Sequence, residues 1–266
     1  MNLSPRLTAV ANLVTSGYKI ADIGTDHAYI PIFLLKQKKI PYALAMDIHQ
    51  GPLKIAKENV KEAGLANAIE VRQSNGLMNL KPYEVETIVV AGLGGHLMID
   101  ILLGNWETTQ SLKECVLQPQ SEIKKLRTFL VSQGFTFIEE DMVEDAGKYY
   151  FLMKVSSPSK IKTASHTDLV YNKCDDADLV HGRCNDADLA HNKWSDAELK
   201  FGKLLLETKN PTLKRFLLKE FTIKENILKE IENETGEHIR KRQEEILDEM
   251  ELIREGLSRF ERVKEV

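Results

Sequence analysis

Hydrophobic and polar positions change period along the chain, and the changes mark its elements. From Leu3 to Val14 apolar residues recur at helical spacing (Leu3, Leu7, Val10, Ala11, Val14), with Ser4-Pro5 as cap and first turn. Tyr18 to Ile23 predicts a buried strand turning at Gly24, and a helix follows from about Tyr29 to Lys38. The next apolar run, Tyr42 to Met46, is a second strand with Asp47 at its end. Gly51-Pro52 opens a helix through Glu62, stopped at Gly64, and Ala68 to Arg72 forms a third strand leading into Ser74-Asn75-Gly76. Val85 to Ala91 is a dense β-branched strand ending at Gly92-Leu-Gly-Gly95, followed by a helix from about His96 to Leu103. Glu114 to Leu117 reads as a fifth strand and Ser121 to Ser132 as a helix, with Ser121 as N-cap and Gly134 as stop. Phe135 to Val143 and Tyr149 to Val155, joined around Gly147, form a closing antiparallel hairpin.

Repeated strand–helix steps with a terminal hairpin predict an α/β fold, a doubly wound and mostly parallel sheet. Burial on both faces accounts for the unbroken apolar run Ile88 to Ala91.

After Val155 the pattern changes. Ser156 to Ser165 is rich in Ser, Pro and Lys, which marks a boundary, and a decapeptide-like repeat follows from Thr167, with Asp-Ala-Asp-Leu at 176 and again at 186. Ten residues are too few for a solenoid unit, so a duplicated, solvated linker is expected. Cys174, His181, Cys184 and His191 recur in register, but only His181 and Cys184 form a close pair, so no metal site is expected. Ser195-Asp-Ala-Glu is a capping-box start. Pro211 opens a long helix with Leu217, Phe221, Leu228 and Ile231 at near-heptad spacing, interrupted by Lys224. A second helix carries Ile239, Ile246, Met250, Ile253, Leu257 and Phe260 on one stripe. These predict an antiparallel helical hairpin, closer to a coiled coil than to a second globular core. The chain therefore divides into residues 1–156, a linker at 157–194 and a helical arm at 195–266.

Composition changes this picture little. Of 266 residues, 42% are apolar and 29% charged, and no stretch approaches the roughly 20 apolar residues of a membrane span. The first residues lack the layout of a signal peptide, so a cytoplasmic location is expected. Three cysteines give no paired framework, and redox chemistry has no support. A net charge of −4 excludes a strong overall pull toward nucleic acid, so an RNA partner would need a local basic patch. Arg240-Lys241-Arg242 is the densest such run; a solvated helix face is the commoner meaning of such a run, and an arm that grips RNA is the sharper alternative. Oligomeric state is left open, and a monomer suffices.

The chemistry lies in the turns at the carboxyl ends of the strands, which share one sheet edge. Gly24 permits close backbone approach to a ligand, and Asp22 can orient that turn or a ligand amine. Asp47, about 23 residues after Gly24, matches the acid that holds ribose hydroxyls. Asn75 can hydrogen-bond an adenine edge, and Gly92 to Gly95 leave room for the reactive end of a cofactor. Each has a plain structural alternative as a solvated cap or a turn; together they indicate a nucleoside cofactor. The segment Gly24-Thr-Asp-His-Ala-Tyr29 lacks the second and third glycines of a nicotinamide site, and Asp26 would repel a pyrophosphate. A nucleoside bearing a cationic sulfonium, S-adenosylmethionine, fits better. His27 and Tyr29 can present flat faces to a target base.

Ala21-Asp-Ile-Gly-Thr-Asp-His-Ala-Tyr-Ile-Pro31, Asp47-Ile48 with Gly51-Pro-Leu53, Ser74-Asn-Gly-Leu77, Val90-Ala-Gly-Leu-Gly-Gly95 and Leu117-Gln-Pro-Gln120 together resemble the TrmK family of bacterial tRNA adenine-22 N1-methyltransferases over roughly residues 3 to 155. The resemblance implies a class I methyltransferase domain with a seven-stranded sheet, S-adenosylmethionine as donor, and a coiled-coil arm that helps to hold tRNA. It implies that Asp22, Gly24 and Asp26 belong to the cofactor motif, Asp47 to ribose binding and Asn75 to the adenine contact; Ile48, Ser74, Gly92 and Gly94 complete the expected cofactor site. Asp26 or His27 would accept the product's proton, Tyr29 would stack on the base, and Arg6 with Arg240, Lys241 and Arg242 would contact the RNA. The family commonly has Gly-Asp where this chain has Ser74-Asn75, and Asn where it has Gln120; the decapeptide repeats are additional. Two other readings stay open: methylation of another RNA position or a small molecule, and a noncatalytic RNA-binding adaptor on the same fold.

Overall fold

Seven strands form one sheet in the order β3-β2-β1-β4-β5-β7-β6. The computed structural model describes residues 3–158, 194–232 and 236–261. The first five strands, β1 (Ile20–Ile23), β2 (Ala43–Asp47), β3 (Ile69–Gln73), β4 (Thr87–Gly94) and β5 (Glu114–Ser121), are parallel; β6 (Thr136–Asp145) and β7 (Lys148–Ser156) close the sheet antiparallel. Asp145 pairs with Lys148 across Ala146 (φ 50°) and Gly147 (φ 76°), and two consecutive positive φ values give the tight turn that suits strand twist.

Alternate residues of the central strands serve opposite faces. Ala21, Ile23, Ile88, Val90, Cys115 and Leu117 pack under α4 (Gly95–Gly104), α5 (Trp106–Ser111) and α6 (Ile123–Ser132). Ile20, Ala43, Ala45, Val89 and Val116 pack under α1 (Pro5–Leu13), α2 (Tyr29–Lys36) and α3 (Gln50–Glu62). Tyr18 lies outside β1, its ring under the Lys113 ammonium. The short helix α5 has no counterpart in the sequence reading; Asn105 caps it by accepting from the Thr108 N–H. Ser121 ends β5 rather than capping α6. The residue before α6 is Glu122 in the left-handed region (φ 53°), and its carboxylate instead accepts from His96 N–H at the start of α4.

Beyond residue 193 come α7 (Asp196–Phe201), α8 (Lys203–Glu207), α9 (Pro211–Ile231) and α10 (Glu237–Ser258). Ser195 and Glu198 form the expected capping box. Leu217 meets Gly256, Lys224 pairs with Glu249, and Gln243 donates to the Ile231 carbonyl, so α9 and α10 run antiparallel. Their base departs from the picture of an arm without a core. Leu213, Leu217 and Ile253 join Ala197, Phe201, Leu205 and Leu206 in a buried cluster that takes in Met142 and Phe151 of the sheet.

A buried ion pair fastens this unit to the sheet. Arg127 on α6 and Glu140 on β6 are both fully buried, with Arg127 Nε donating to Glu140 Oε1 at 2.8 Å. Arg127 Nη1 also donates to the carbonyls of Leu199 and Lys200, and Glu140 Oε2 accepts from Leu204 N–H. A Cβ on Gly202 would lie 2.8 Å from Glu140 Oε1, so the bare glycine lets the α7–α8 junction close over the pair. Residues 167–193 of the repeats, with all their Cys and His, lie outside the described residues.

Candidate active site

β1 sends its chain to β2 on one side and lies against β4 on the other, which places the crevice of a doubly wound sheet at the carboxyl ends of these three strands. Gly24 turns there at φ 71°, and a Cβ on it would touch Leu93 Cδ1 at 3.3 Å, so the turns after β1 and β4 abut. Asp22 is buried at the end of β1 and accepts a 2.6 Å bond from Thr25 Oγ1. Burial pushes its carboxyl up to about 6 from 3.8, the Thr25 hydroxyl works against this, and the negative charges of Asp47 and Asp26 add to it.

The following residues carry uncommon backbone. His27 (φ 65°) and Ala28 (φ 58°) are consecutive left-handed residues, a conformation that costs about 1–3 kcal/mol each without glycine. Ala28 is fully buried, and the His27 carbonyl accepts from Asn59 Nδ2 on α3, which hold the loop in place. As a result the His27 ring stacks on Tyr29 with centroids 5.0 Å apart and planes 19° apart. His27 Nε2 lies 3.0 Å from Asp26 Oδ1, whose side chain is 77% exposed, while Nδ1 is buried with no partner among the described residues.

The next two turns line the same edge. Asp47 Oδ1 accepts from His49 N–H at 2.6 Å, which fixes the carboxylate at the end of β2, and Ile48 beside it is half exposed. Ser74 N–H donates to the Asp47 carbonyl. The Ser74 hydroxyl is spent on the turn itself, donating to the Gly76 carbonyl and accepting from Asn79 N–H, whereas Asn75 is exposed. Gly92 turns at φ 84°. A Cβ on Gly94 would lie 3.1 Å from Ser121 Oγ, but the tightest glycine is Gly95, where a Cβ would stand 2.7 Å from the Glu122 carbonyl oxygen.

Arg6 is not the solvated helix arginine that its surface position on α1 suggests. Its Nη1 donates at 2.6 Å to Oε1 of Gln118, a fully buried residue of β5, and its guanidinium lies over the Tyr150 ring at 5.5 Å. It is also 3.5 Å from where a Gly92 Cβ would be, which sets a cation at the rim of the site. Gln118 and Thr25 are the polar residues that pattern reasoning missed. A polar residue in an apolar strand run was the available signal for Gln118. Arg240, Lys241 and Arg242 are exposed on α10, with Arg242 paired to Glu245, and among the described residues no contact brings them to the sheet edge.

Residues 3–153 match the family model described as a methyltransferase domain. A tRNA (adenine(22)-N(1))-methyltransferase of Bacillus subtilis is 36% identical over 150 residues, which is 56% of this chain and 63% of that protein. The crystal structure of B. subtilis TrmK superposes with a TM-score of 0.74 at 27% identity, covering 96% of this chain and 99% of that one. The chain belongs to the TrmK family of methyltransferase-domain proteins. Another TrmK structure, from M. capricolum in complex with S-adenosyl-homocysteine, gives a TM-score of 0.73 at 27% identity, with 97% of this chain and 99% of that one covered. In sequence the chain thus spans less than two thirds of the B. subtilis protein's length, whereas the TrmK likeness in structure takes in the helical region as well.

Proposed function

We propose that this chain transfers a methyl group from S-adenosylmethionine to N1 of adenosine 22 in bacterial tRNA, the activity for which the B. subtilis relative is named. The observation that carries the reading is the convergence of three carboxylates (Asp22, Asp26, Asp47) and two positive-φ glycines (Gly24, Gly92) on one sheet edge, beside the His27–Tyr29 stack. Acids grouped so that two of them push up the buried carboxyl of the third favour a cation at their centre. A nucleoside carrying an ammonium and a sulfonium suits that environment, and bare glycine backbone gives it close approach.

S-adenosylmethionine, when bound, supplies an electrophilic methyl on a cationic sulfur. The chain's own part is to hold and orient. Asp47 is placed for ribose hydroxyls with Ile48 against the nucleoside, and Asn75 for the adenine edge, while Ser74 shapes the turn that presents it. Gly92 and Gly94 leave space at the reactive end. Adenine N1 already has a lone pair, so positioning supplies most of the acceleration. Tyr29, stacked on His27, offers a flat face to the base. Methylation leaves the base positively charged; exposed Asp26, bonded to His27, takes up the proton it then loses. Arg6 meets the RNA at the rim, and the α9–α10 pair serves as a coiled-coil arm whose Arg240, Lys241 and Arg242 face phosphates. Residues 1–156 would then be the catalytic domain, 195–266 the arm and 157–194 a linker. Among the described residues no helix is long and apolar enough to cross a membrane.

The test is incubation with labelled donor and unmodified tRNA, followed by nucleoside mass spectrometry. One-methyladenosine at position 22 is expected. Tyr29→Ala and Asp26→Ala should each lower the rate by roughly a hundredfold or more while melting curves stay unchanged. No product from the unsubstituted chain would overturn the function; full activity in both variants would remove those two roles.

A further inference from the structure

Between the sheet and the helical unit lies a cleft of about 550 Å³ that none of these roles uses. Its walls come from the end of β5, the β6–β7 turn and α9, and its aromatic members are Tyr149, Tyr150 and Phe216. Tyr149 and Phe216 meet at 5.4 Å between centroids, and Phe216 also meets Phe151 edge-on, so this wall is anchored in the buried cluster below it. Cations flank this wall: Lys219 Nζ stands 5.3 Å from the Tyr149 centroid and Lys148 is in the lining, while Tyr150, next along β7, turns its ring to the other face under Arg6. Glu220 is the single acid among the lining residues. At the mouth, Gln120 Nε2 comes within 3.4 Å of where a Gly92 Cβ would be, so the cleft and the turn facing the methyl donor share a wall.

We infer that this cleft receives an unstacked nucleotide flanking the accepting adenosine, with its base on the Tyr149–Phe216 wall and its phosphate against Lys219 and Lys148. The inference rests on the tRNA-methylating reading and names a second contact for the same substrate. To present N1, on its pairing edge, the acceptor must leave its helical stack, and this bares the face of its neighbour. An aromatic wall one side chain away from the reaction centre re-covers that face without regard to base identity, and the adjacent ammonium groups meet the phosphate that travels with it. The volume falls within the range of small-ligand sites, which begins at about 300 Å³.

Two substitutions test it without touching the packed rings. Ile223 is 41% exposed at the cleft, so Ile223→Trp fills the space; Lys219 is exposed, so Lys219→Glu reverses its charge. Each should raise KM for tRNA by about tenfold, with S-adenosylhomocysteine affinity held within about twofold by calorimetry. A photoreactive 4-thiouridine placed next to the acceptor should crosslink to the peptide containing Tyr149 and Tyr150, and Ile223→Trp should abolish that adduct. If the unsubstituted chain methylates tRNA while both variants keep its KM and the crosslink falls elsewhere, the subsite is overturned and the methyltransferase reading stands. If the unsubstituted chain binds S-adenosylhomocysteine but never methylates tRNA, both fall together.

Discussion

On the proposed reading, in which Asp22 holds the donor's ammonium, this residue should couple ligand binding to pH. Its carboxyl is pushed up to about 6, chiefly by burial, against an ordinary 3.8. A folded-state value above the unfolded one means that the folded chain holds this proton more tightly. The burden of a buried charge is therefore fully present above pH 6 and is relieved as pH falls toward 3.8. Between about pH 8 and pH 5 the ligand-free chain should gain roughly 1.4 kcal/mol relative to Asp22→Asn, in which the position no longer titrates. Ligand binding runs the other way. An ammonium needs the ionised carboxylate, which only about one molecule in ten retains at pH 5, so S-adenosylhomocysteine should bind about tenfold more weakly there than at pH 8. Urea unfolding of both proteins at the two pH values reads the first effect, and calorimetric titration reads the second. Referring each to Asp22→Asn cancels other titrating groups. Parallel stability profiles together with pH-independent differences in affinity would refute the reasoning.

Two further predictions concern packing. Arg127→Met or Glu140→Gln alone leaves the partner buried without its counter-charge and should cost about 3–5 kcal/mol in denaturant unfolding, whereas Arg127→Met with Glu140→Leu should recover much of that loss; a single-variant loss under about 1 kcal/mol would contradict full burial. Gly95→Ala drives a methyl against the Glu122 carbonyl and should cost about 1–3 kcal/mol by thermal melting, whereas Gly104→Ala, with nothing within 4 Å, should be neutral or stabilising by up to about 1 kcal/mol.

The parallel sheet was legible because apolar runs such as Ile88 to Ala91 have few other uses, and the edge turns because Gly24, Asp47 and Gly92 punctuate those runs. Other features depend on contacts far apart in sequence. Arg6 has helical neighbours on α1 and looks solvated until Gln118, 112 residues away, takes its guanidinium. Arg127 sits in an amphipathic helix beside Lys124 and Lys125, and only Glu140 and the carbonyls of Leu199 and Lys200 make it internal. Ser121 has the chemistry of an N-cap, yet the parallel pairing of β5 with β4 extends through it and Glu122 takes the turn. The strain at His27-Ala28 likewise has no pattern in composition, since histidine and alanine are ordinary at the start of a helix.

The Arg127–Glu140 pair also sets a distance. Helix α9 has 21 residues and so projects about 31 Å from the base that this pair grips. A tilt of about 5° there would swing the far end through about 3 Å, the length of a hydrogen bond. Charge held in the dry interior of the base therefore sets the span between the sheet edge and the distal residues Arg240, Lys241 and Arg242, a distance fixed where solvent does not reach.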